Sequence, residues 1–214
     1  MWMTLLLILL ILFAYPAVYA GDIKPVKLPP PQTDGGKPLM QVLRERKTSR
    51  EFSPRELSFQ ALSDLLWAAN GVNRPDLGGR TAPTAKNMQE IDLYVAKADG
   101  LYLYDAKANT LVQVLTDDMR AATGNQPFVK DAPVNLVYVA DISKMAGSPP
   151  DAIDFYSAAD TGFISQNVYL FCASAGLATV VRGWVDKPAL AKAMKLRPGQ
   201  RVILAQTVGY PQKP

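Results

Sequence analysis

The chain has 214 residues, 49% of them hydrophobic and 20% charged, a balance that predicts one globular domain and excludes a mainly disordered chain. The net charge of +4 includes no long block of like charges, which argues against a nucleic-acid partner. Histidine is absent and there is one cysteine, so an intramolecular disulfide is excluded, the usual general base is missing and a metal site is disfavoured.

The first twenty residues have the pattern of a secretory signal peptide. Residues 4–14 form an almost unbroken apolar run, Pro16 follows, and Val18 and Ala20 lie before Gly21. This pattern predicts cleavage after Ala20, although no Lys or Arg precedes the apolar run. The run is short for a membrane span, which needs about 20 apolar residues, and an uncleaved anchor is the alternative. Both interpretations place the rest of the chain outside the cytoplasm, as a periplasmic, secreted or membrane-anchored protein.

Residues 21–37 are predicted to form an extended arm that is not a core element. This stretch is rich in proline and glycine, which favour an extended chain over a helix or a central strand: it holds Pro25, Pro29, Pro30, Pro31, Gly35 and Gly36. Two roles stay open for the arm: it wraps a partner subunit, or it spaces the domain from the membrane. Residues 38–214 then form the folded domain.

Two helices are predicted at the start of this domain. The first opens at Pro38 and carries an apolar stripe of Leu39, Val42 and Leu43, with a basic run at its end. The second starts after Ser58, a favourable N-cap, and stops at Gly71. Its inward positions are Leu62, Leu65, Leu66 and Ala69.

The remaining pattern predicts strands around one long helix. A hairpin turns at Asp99-Gly100, and a small helix follows Asp186. The helix over 151–175, closed by Gly176, is apolar nearly all round, which places it in a core or at a subunit interface. Its Cys172 is predicted to be a buried, inert thiol. Strands are predicted at 91–96, 101–104, 111–115, 134–140, 178–181 and 201–209. This order indicates the α+β class.

A basic run at the end of the first helix is a candidate phosphate site. Arg46-Lys47-Thr48-Ser49-Arg50 combines cations with two hydroxyls, the mixture that binds phosphate through charge-assisted hydrogen bonds. A solvated helix end is the alternative, because the helix dipole favours cations there.

Two other segments combine small and polar residues beside predicted strands. Residues 81–90 enter the strand at Ile91 and carry Asn87, whose amide can bond the edge of a heterocycle; an ordinary loop is the alternative. Residues 176–184 break at Gly183, which permits close approach of a flat ligand; an ordinary strand end is the alternative.

Taken together and in this order, these segments resemble the nitroreductase family over residues 38–211. The resemblance is closest to its SagB-type or ThcOx-type dehydrogenases. In that family an Arg-x-Ser-x-Arg/Lys-x-Phe motif binds the FMN phosphate, and here residues 46–52 match it with Thr48 in place of Ser. The resemblance therefore implies that Arg46, Lys47, Thr48 and Arg50 bind phosphate.

The resemblance implies further FMN contacts. The family's loop that contacts the flavin ring and ribityl chain corresponds to Pro83, Thr84, Ala85 and Asn87. Either Asn125 or Gln126 supplies an amide to the pyrimidine edge. A backbone N–H near flavin N5 comes from the stretch Val181, Arg182 and Gly183, and Lys213 reaches the phosphate.

The family also implies a fold and an activity. We expect a mostly antiparallel sheet flanked by helices and a homodimer with the long helix at its interface. The activity implied is two-electron transfer by FMN from NADH or NADPH to a small nitroaromatic or quinone, with no catalytic side chain assigned because the flavin does the chemistry. A non-catalytic FMN-binding relay and an exported binding module without flavin are the alternatives. The adjacent Lys-Tyr pair of azoline-oxidising members is absent.

Overall fold

A computed structural model describes residues 25–212. The predicted signal peptide and Lys213 lie outside the described residues. Within that range no helix is long and apolar enough to cross a membrane. The described strands are β1 (Val26–Lys27), β2 (Val72–Arg74), β3 (Gly79–Arg80), β4 (Ile91–Lys97), β5 (Gly100–Asp105), β6 (Thr110–Leu115), β7 (Val134–Asp141), β8 (Ala178–Arg182) and β9 (Gln200–Gly209). The described α-helices are α1 (Leu39–Glu45), α2 (Phe59–Asn70), α3 (Pro150–Ala175) and α4 (Lys187–Ala193).

Seven strands form one sheet in the order β1-β6-β5-β4-β7-β9-β8. Every neighbouring pair is antiparallel, and the β4–β5 hairpin closes at the predicted turn, with Lys97 paired to Gly100. Strands β2 and β3 form a separate small hairpin. The α+β class and the antiparallel sheet are confirmed.

The core lies on both faces of the central strand β7, whose eight residues are all buried. On one face, Leu136 and Tyr138 belong to the larger core cluster with α2 and α3. On the other face, Val137 and Val139 pack with Leu190 of α4 and its neighbours. A strand that is apolar on both faces is therefore covered by helices on both sides.

Local sequence signals explain where the helices begin and end. The Ser58 side chain accepts the Ala61 N–H at 3.1 Å, and the four predicted inward residues of α2 are buried. Gly176 ends α3 with a φ of 70°, a left-handed conformation that glycine adopts without a steric penalty. Cys172 is buried as predicted, and burial raises the pKa of its thiol, which keeps it uncharged.

The arm differs from its sequence interpretation. Its strand β1 pairs with β6, with Val26 opposite Leu111, and Leu28 belongs to the core cluster. The Pro29 carbonyl accepts hydrogen bonds from Ser63 Oγ and from Asn109 Nδ2. The described part of the arm therefore packs on the chain's own sheet and on α2, and Leu28 is a core residue that a count of prolines does not indicate.

Two helices leave apolar side chains outside this core. In α1 only Val42 of the predicted stripe is buried, whereas Leu39 is 62% exposed and Leu43 is 45% exposed. The long helix α3 leaves Phe155 and Phe163 exposed as well. Large apolar side chains in this number on neighbouring helices are typical of an interaction surface.

Candidate functional site

The basic segment that follows α1 runs along the free edge of the sheet. Helix α1 ends where the Arg46 N–H bonds the Val42 carbonyl at 2.8 Å. The chain then straightens, and the Ser49 N–H donates to the Thr179 carbonyl of the edge strand β8 at 3.0 Å. The strand edge thereby fixes residues 46–50, which we call the clamp, beside β8.

Tyr169 of α3 connects the clamp to β8. Its hydroxyl accepts the Val181 N–H at 3.0 Å and lies 3.1 Å from Thr48 Oγ1, while the Arg46 guanidinium lies 5.3 Å from its ring centroid. A tyrosine hydroxyl has one proton. Because it accepts from Val181, it can donate that proton to Thr48, which leaves the Thr48 proton for a ligand.

A cavity of about 490 Å³ lies between the clamp, α3 and β8. Lys47, Ser49, Tyr169 and Thr179 are among its lining residues, together with the carboxylates of Glu45 and Glu51. Glu45 forms an ion pair with Lys37 at 2.7 Å, and that hydrogen bond is the main cause of its lowered pKa. Its charge is therefore already paired.

The clamp cations have no carboxylate partner in the described part of the chain. Among the ion pairs of residues 25–212, none includes Arg46, Lys47 or Arg50. Unpaired guanidinium and ammonium groups beside hydroxyls and a cavity match the donor set that a phosphate monoester needs. The residues present therefore fit the phosphate of a nucleotide-type cofactor.

The loop over 83–89 lies against a different part of α3. The Ala85 N–H donates to Asp160 Oδ2 at 2.9 Å, and Asp160 precedes Tyr169 by nine residues, which is about 13 Å along a helix. Pro83, Lys86 and Asn87 are exposed. The structure thus does not bring loop 83–89 into the cavity beside the clamp of the same chain.

The segment 124–126 lies over a buried arginine. The Arg182 guanidinium donates to the Thr123 carbonyl at 2.7 Å and to Asn135 Oδ1 at 3.1 Å, and this residue is 4% exposed. Burial lowers the pKa of Arg182 to about 10, so the group is still a cation at neutral pH. Asn125 is exposed, and Gln126 Oε1 is buried without a hydrogen-bond donor among the described residues.

The free edge of β8 presents alternate backbone groups away from the sheet. The Thr179 carbonyl accepts the Ser49 N–H, and the Val181 N–H donates to the Tyr169 hydroxyl. By the same alternation the next outward N–H is that of Gly183, which is exposed and has no acceptor among the described residues. Within the predicted stretch 181–183, Gly183 is therefore the position whose amide is open to a ligand.

The chain is similar in sequence and fold to known proteins. Residues 43–210 match the Nitroreductase family. The chain belongs to the nitroreductase family. A crystal structure from Ralstonia eutropha with a provisional nitroreductase name is 44% identical, has a TM-score of 0.86, and is matched over 91% of this chain and 93% of its own. A protein of Methanocaldococcus jannaschii, also provisionally named a nitroreductase, is 28% identical over 169 residues, 74% of this chain and 85% of its own.

A more distant nitroreductase-fold structure shares the architecture alone. The NADPH:FMN oxidoreductase of Vibrio harveyi, complexed with NAD+, is 18% identical with a TM-score of 0.61, over 82% of this chain and 69% of its own. Nitroreductases are in general flavin-dependent oxidoreductases, typically with FMN. The family and fold predicted from the sequence are confirmed.

Proposed function

We propose that this chain is an FMN-dependent oxidoreductase of the SagB-type branch that transfers two electrons to a small organic acceptor such as a nitroaromatic or a quinone. The observation that carries the proposal is the clamp. Lys47 and Ser49 line a cavity of about 490 Å³ at the free edge of β8, and Arg46, Thr48 and Arg50 alternate with them in the same segment without lining the cavity. Among residues 25–212 none of the three cations has a carboxylate partner. Membership of the nitroreductase family supports FMN as the group they hold.

The chain's own residues have distinct roles toward the cofactor. Arg46 and Arg50 bind the phosphate oxygens, Thr48 adds a hydroxyl oriented by Tyr169, and Lys47 adds charge at the cavity wall. The open Gly183 N–H lies on the strand edge where the flavin ring would lie. Bound FMN would supply the hydride and electron chemistry, for which no side chain is needed as acid or base.

We further propose that the active form is a homodimer. No residue of loop 83–89 lines the cavity beside the clamp of the same chain, and the loop contacts α3 about 13 Å from Tyr169. The exposed apolar residues of α1 and α3 give a surface that a second copy would cover. In this arrangement the loop 83–89 of the partner subunit completes the site.

Secretion and the choice of electron donor complete the proposal. The apolar run before Ala20 supports secretion into an extracytoplasmic space, with a retained membrane anchor as the second form. NADH or NADPH serves as reductant in our proposal, although an exported enzyme meets little of either. A role as an FMN-binding electron relay is the alternative, and an exported binding module without flavin is the second alternative.

A visible spectrum tests the proposed cofactor. We expect residues 21–214, purified after expression or incubated with FMN, to show the yellow flavin spectrum. Addition of NADH, NADPH or dithionite should bleach it, and a nitroaromatic or quinone should restore it. A colourless protein after addition of FMN would contradict both flavin proposals. Bleaching without reoxidation by these acceptors would favour the relay.

Replacement of Tyr169 by Phe tests the link between the clamp and β8. The change leaves the Val181 N–H without its acceptor and frees the Thr48 hydroxyl to rotate. We expect the free energy of unfolding to fall by about 1–2 kcal/mol and the dissociation constant of FMN to rise several-fold. Urea denaturation and fluorescence titration with FMN measure the two effects. Tyr156→Phe, on the same helix, is the control and should change neither.

A further inference from the structure

Two carboxyl side chains meet in the interior beneath loop 83–89. Glu90, directly before β4, is 0% exposed, and Asp160 of α3 is 2% exposed. The Glu90 carboxyl accepts a hydrogen bond from Thr84 and the Asp160 carboxyl accepts one from the next residue, Ala85, which brings the two carboxyl groups side by side. The Asp160 charge also raises the pKa of Glu90. Glu90 Oε1 is buried and has no donor among the described residues. Two carboxylates in contact in a dry interior repel each other strongly, so one of them is expected to carry a proton.

No cation neutralises this pair within residues 25–212. Arg80 of β3 donates to Gln89 Oε1 and to the Asn70 carbonyl. Lys144 bonds Asp92 and the Gln89 carbonyl, and Asp141 is paired with Arg197. Lys86 on the loop itself is exposed. Burial is the largest influence and raises the pKa of Glu90, and the Asp160 charge raises it further, while hydrogen bonds from the backbone N–H of Glu90 and from Thr84 lower it.

The pair holds a loop with an unfavourable backbone. Lys86, Asn87 and Gln89 have φ values of 52°, 55° and 49°, a left-handed conformation that costs a residue other than glycine about 1 kcal/mol or more. Such a conformation persists only where neighbouring groups fix it. Here Asp160 Oδ2 accepts the Ala85 N–H at 2.9 Å, and Glu90 Oε2 accepts the Thr84 hydroxyl at 3.2 Å.

We propose that Glu90 and Asp160 share one proton and act as a positioning pair that fixes loop 83–89 in its strained, ligand-ready conformation. Glu90 donates through Oε1 to the Asp160 carboxylate and accepts from Thr84 through Oε2. Asp160 accepts from both Glu90 and the Ala85 N–H. This assignment gives a partner to the oxygen of Glu90 that otherwise has none. Only the consequence for FMN rests on the proposed function.

The variant Glu90→Gln tests whether the two carboxyl groups share a proton or Glu90 is only a buried side chain that packs in the core. A Gln amide donates to Asp160 and accepts from Thr84 as the protonated Glu90 does, but it has no proton to lose. A group whose pKa is raised on folding stabilises the protein fully below its unfolded pKa, and this contribution is lost as pH rises through its folded pKa. We therefore expect Glu90→Gln to match the wild type at about pH 4, below the usual glutamate pKa of about 4.3, and to become progressively more stable than the wild type as the pH is raised.

Thermal unfolding of the FMN-free protein across this pH range measures the effect without any cofactor. Glu56→Gln makes the same chemical change at an exposed position and should follow the wild type at every pH. Glu90→Ala, which removes both hydrogen bonds, should be less stable than Glu90→Gln throughout. Parallel curves for the wild type and Glu90→Gln, or a Glu90→Gln variant as unstable as Glu90→Ala, would overturn the shared proton.

Titration with FMN measures the positioning role. As the pH is raised over the same range, we expect the dissociation constant of the wild type to rise about tenfold more than that of Glu90→Gln. Equal pH profiles for the two proteins would overturn the positioning role. If neither protein binds FMN at any pH, the proposed cofactor fails, whereas the pH-dependent stability still decides whether the proton is shared.

Discussion

Replacing both Arg46 and Arg50 by Ala is expected to weaken FMN binding by about a hundredfold to ten-thousandfold. In the proposed site each arginine would supply a charge-assisted contact to phosphate, which contributes about 1.5–3 kcal/mol, and 1.4 kcal/mol corresponds to a factor of ten. Neither arginine forms an ion pair among residues 25–212, so their loss leaves no carboxylate without a partner. Fluorescence titration with FMN gives the two dissociation constants, and urea denaturation of the FMN-free proteins should show similar stabilities.

The control for this experiment removes the same charge elsewhere. Lys107 lies in the turn between β5 and β6 and Lys192 in the last turn of α4, and both are exposed. The Lys107→Ala/Lys192→Ala variant should bind FMN within about twofold of the wild type at moderate salt, because surface charges at a distance are screened. Equal affinities for the two double variants would show that the phosphate does not bind at the clamp.

Arg182→Ala is expected to lower the free energy of unfolding by about 3–5 kcal/mol. The change removes two hydrogen bonds from a buried cation and leaves the Thr123 carbonyl without a donor and a cavity beside Asn135. Removing the buried charge offsets part of this loss, since its desolvation opposes folding, as the lowered pKa of about 10 shows. Urea denaturation of the FMN-free protein measures the difference.

Two further variants show how much of this loss of stability comes from the buried position of Arg182 and how much from its charge. Arg182→Lys keeps a cation but not the planar fork that binds two acceptors, so we expect an intermediate loss of stability. Arg201 pairs with Asp154 across an exposed surface, and Arg201→Ala should cost less than about 1 kcal/mol. An Arg182→Ala protein as stable as the Arg201→Ala protein would show that the buried guanidinium does not support the 123–126 segment.

Local patterns in the sequence predicted most of the elements. The spacing of Leu62, Leu65 and Leu66 behind a serine cap identifies α2, because a helix repeats about every 3.6 residues. Asp99-Gly100 identifies the β4–β5 hairpin, because its backbone demands a residue that tolerates positive φ. These signals lie within a few residues of the structure they specify.

The arm and α1 were not predictable in the same way. Leu28 is buried because β1 pairs with the distant strand β6, and no local pattern encodes that contact. Leu39 and Leu43 form a helical stripe, as predicted, but they face outward. Periodicity shows that a helix has an apolar side, and it does not show whether the chain itself or a second molecule covers that side.

The candidate site also has one part that the sequence predicted and another that it did not. The clamp could be found from composition, because cations and hydroxyls are adjacent in the chain. Tyr169 and the Glu90–Asp160 pair were missed, because contacts across the fold create them. One signal for Asp160 was present in the sequence: Ser157, Asp160, Thr161 and Ser165 repeat at helical spacing through α3 and are all buried. Polar residues at such spacing indicate a buried polar face.

The position of β1 in the sheet also sets an order of folding. The meander of β4, β5 and β6 and the β8–β9 pair join strands that are close in the chain, and such contacts form early because the loops to be closed are short. The pairing of Val26 with Leu111 closes most of the first half of the chain and cannot form before β6 exists. We therefore infer that the N-terminal arm joins the sheet after the β4–β6 meander has formed.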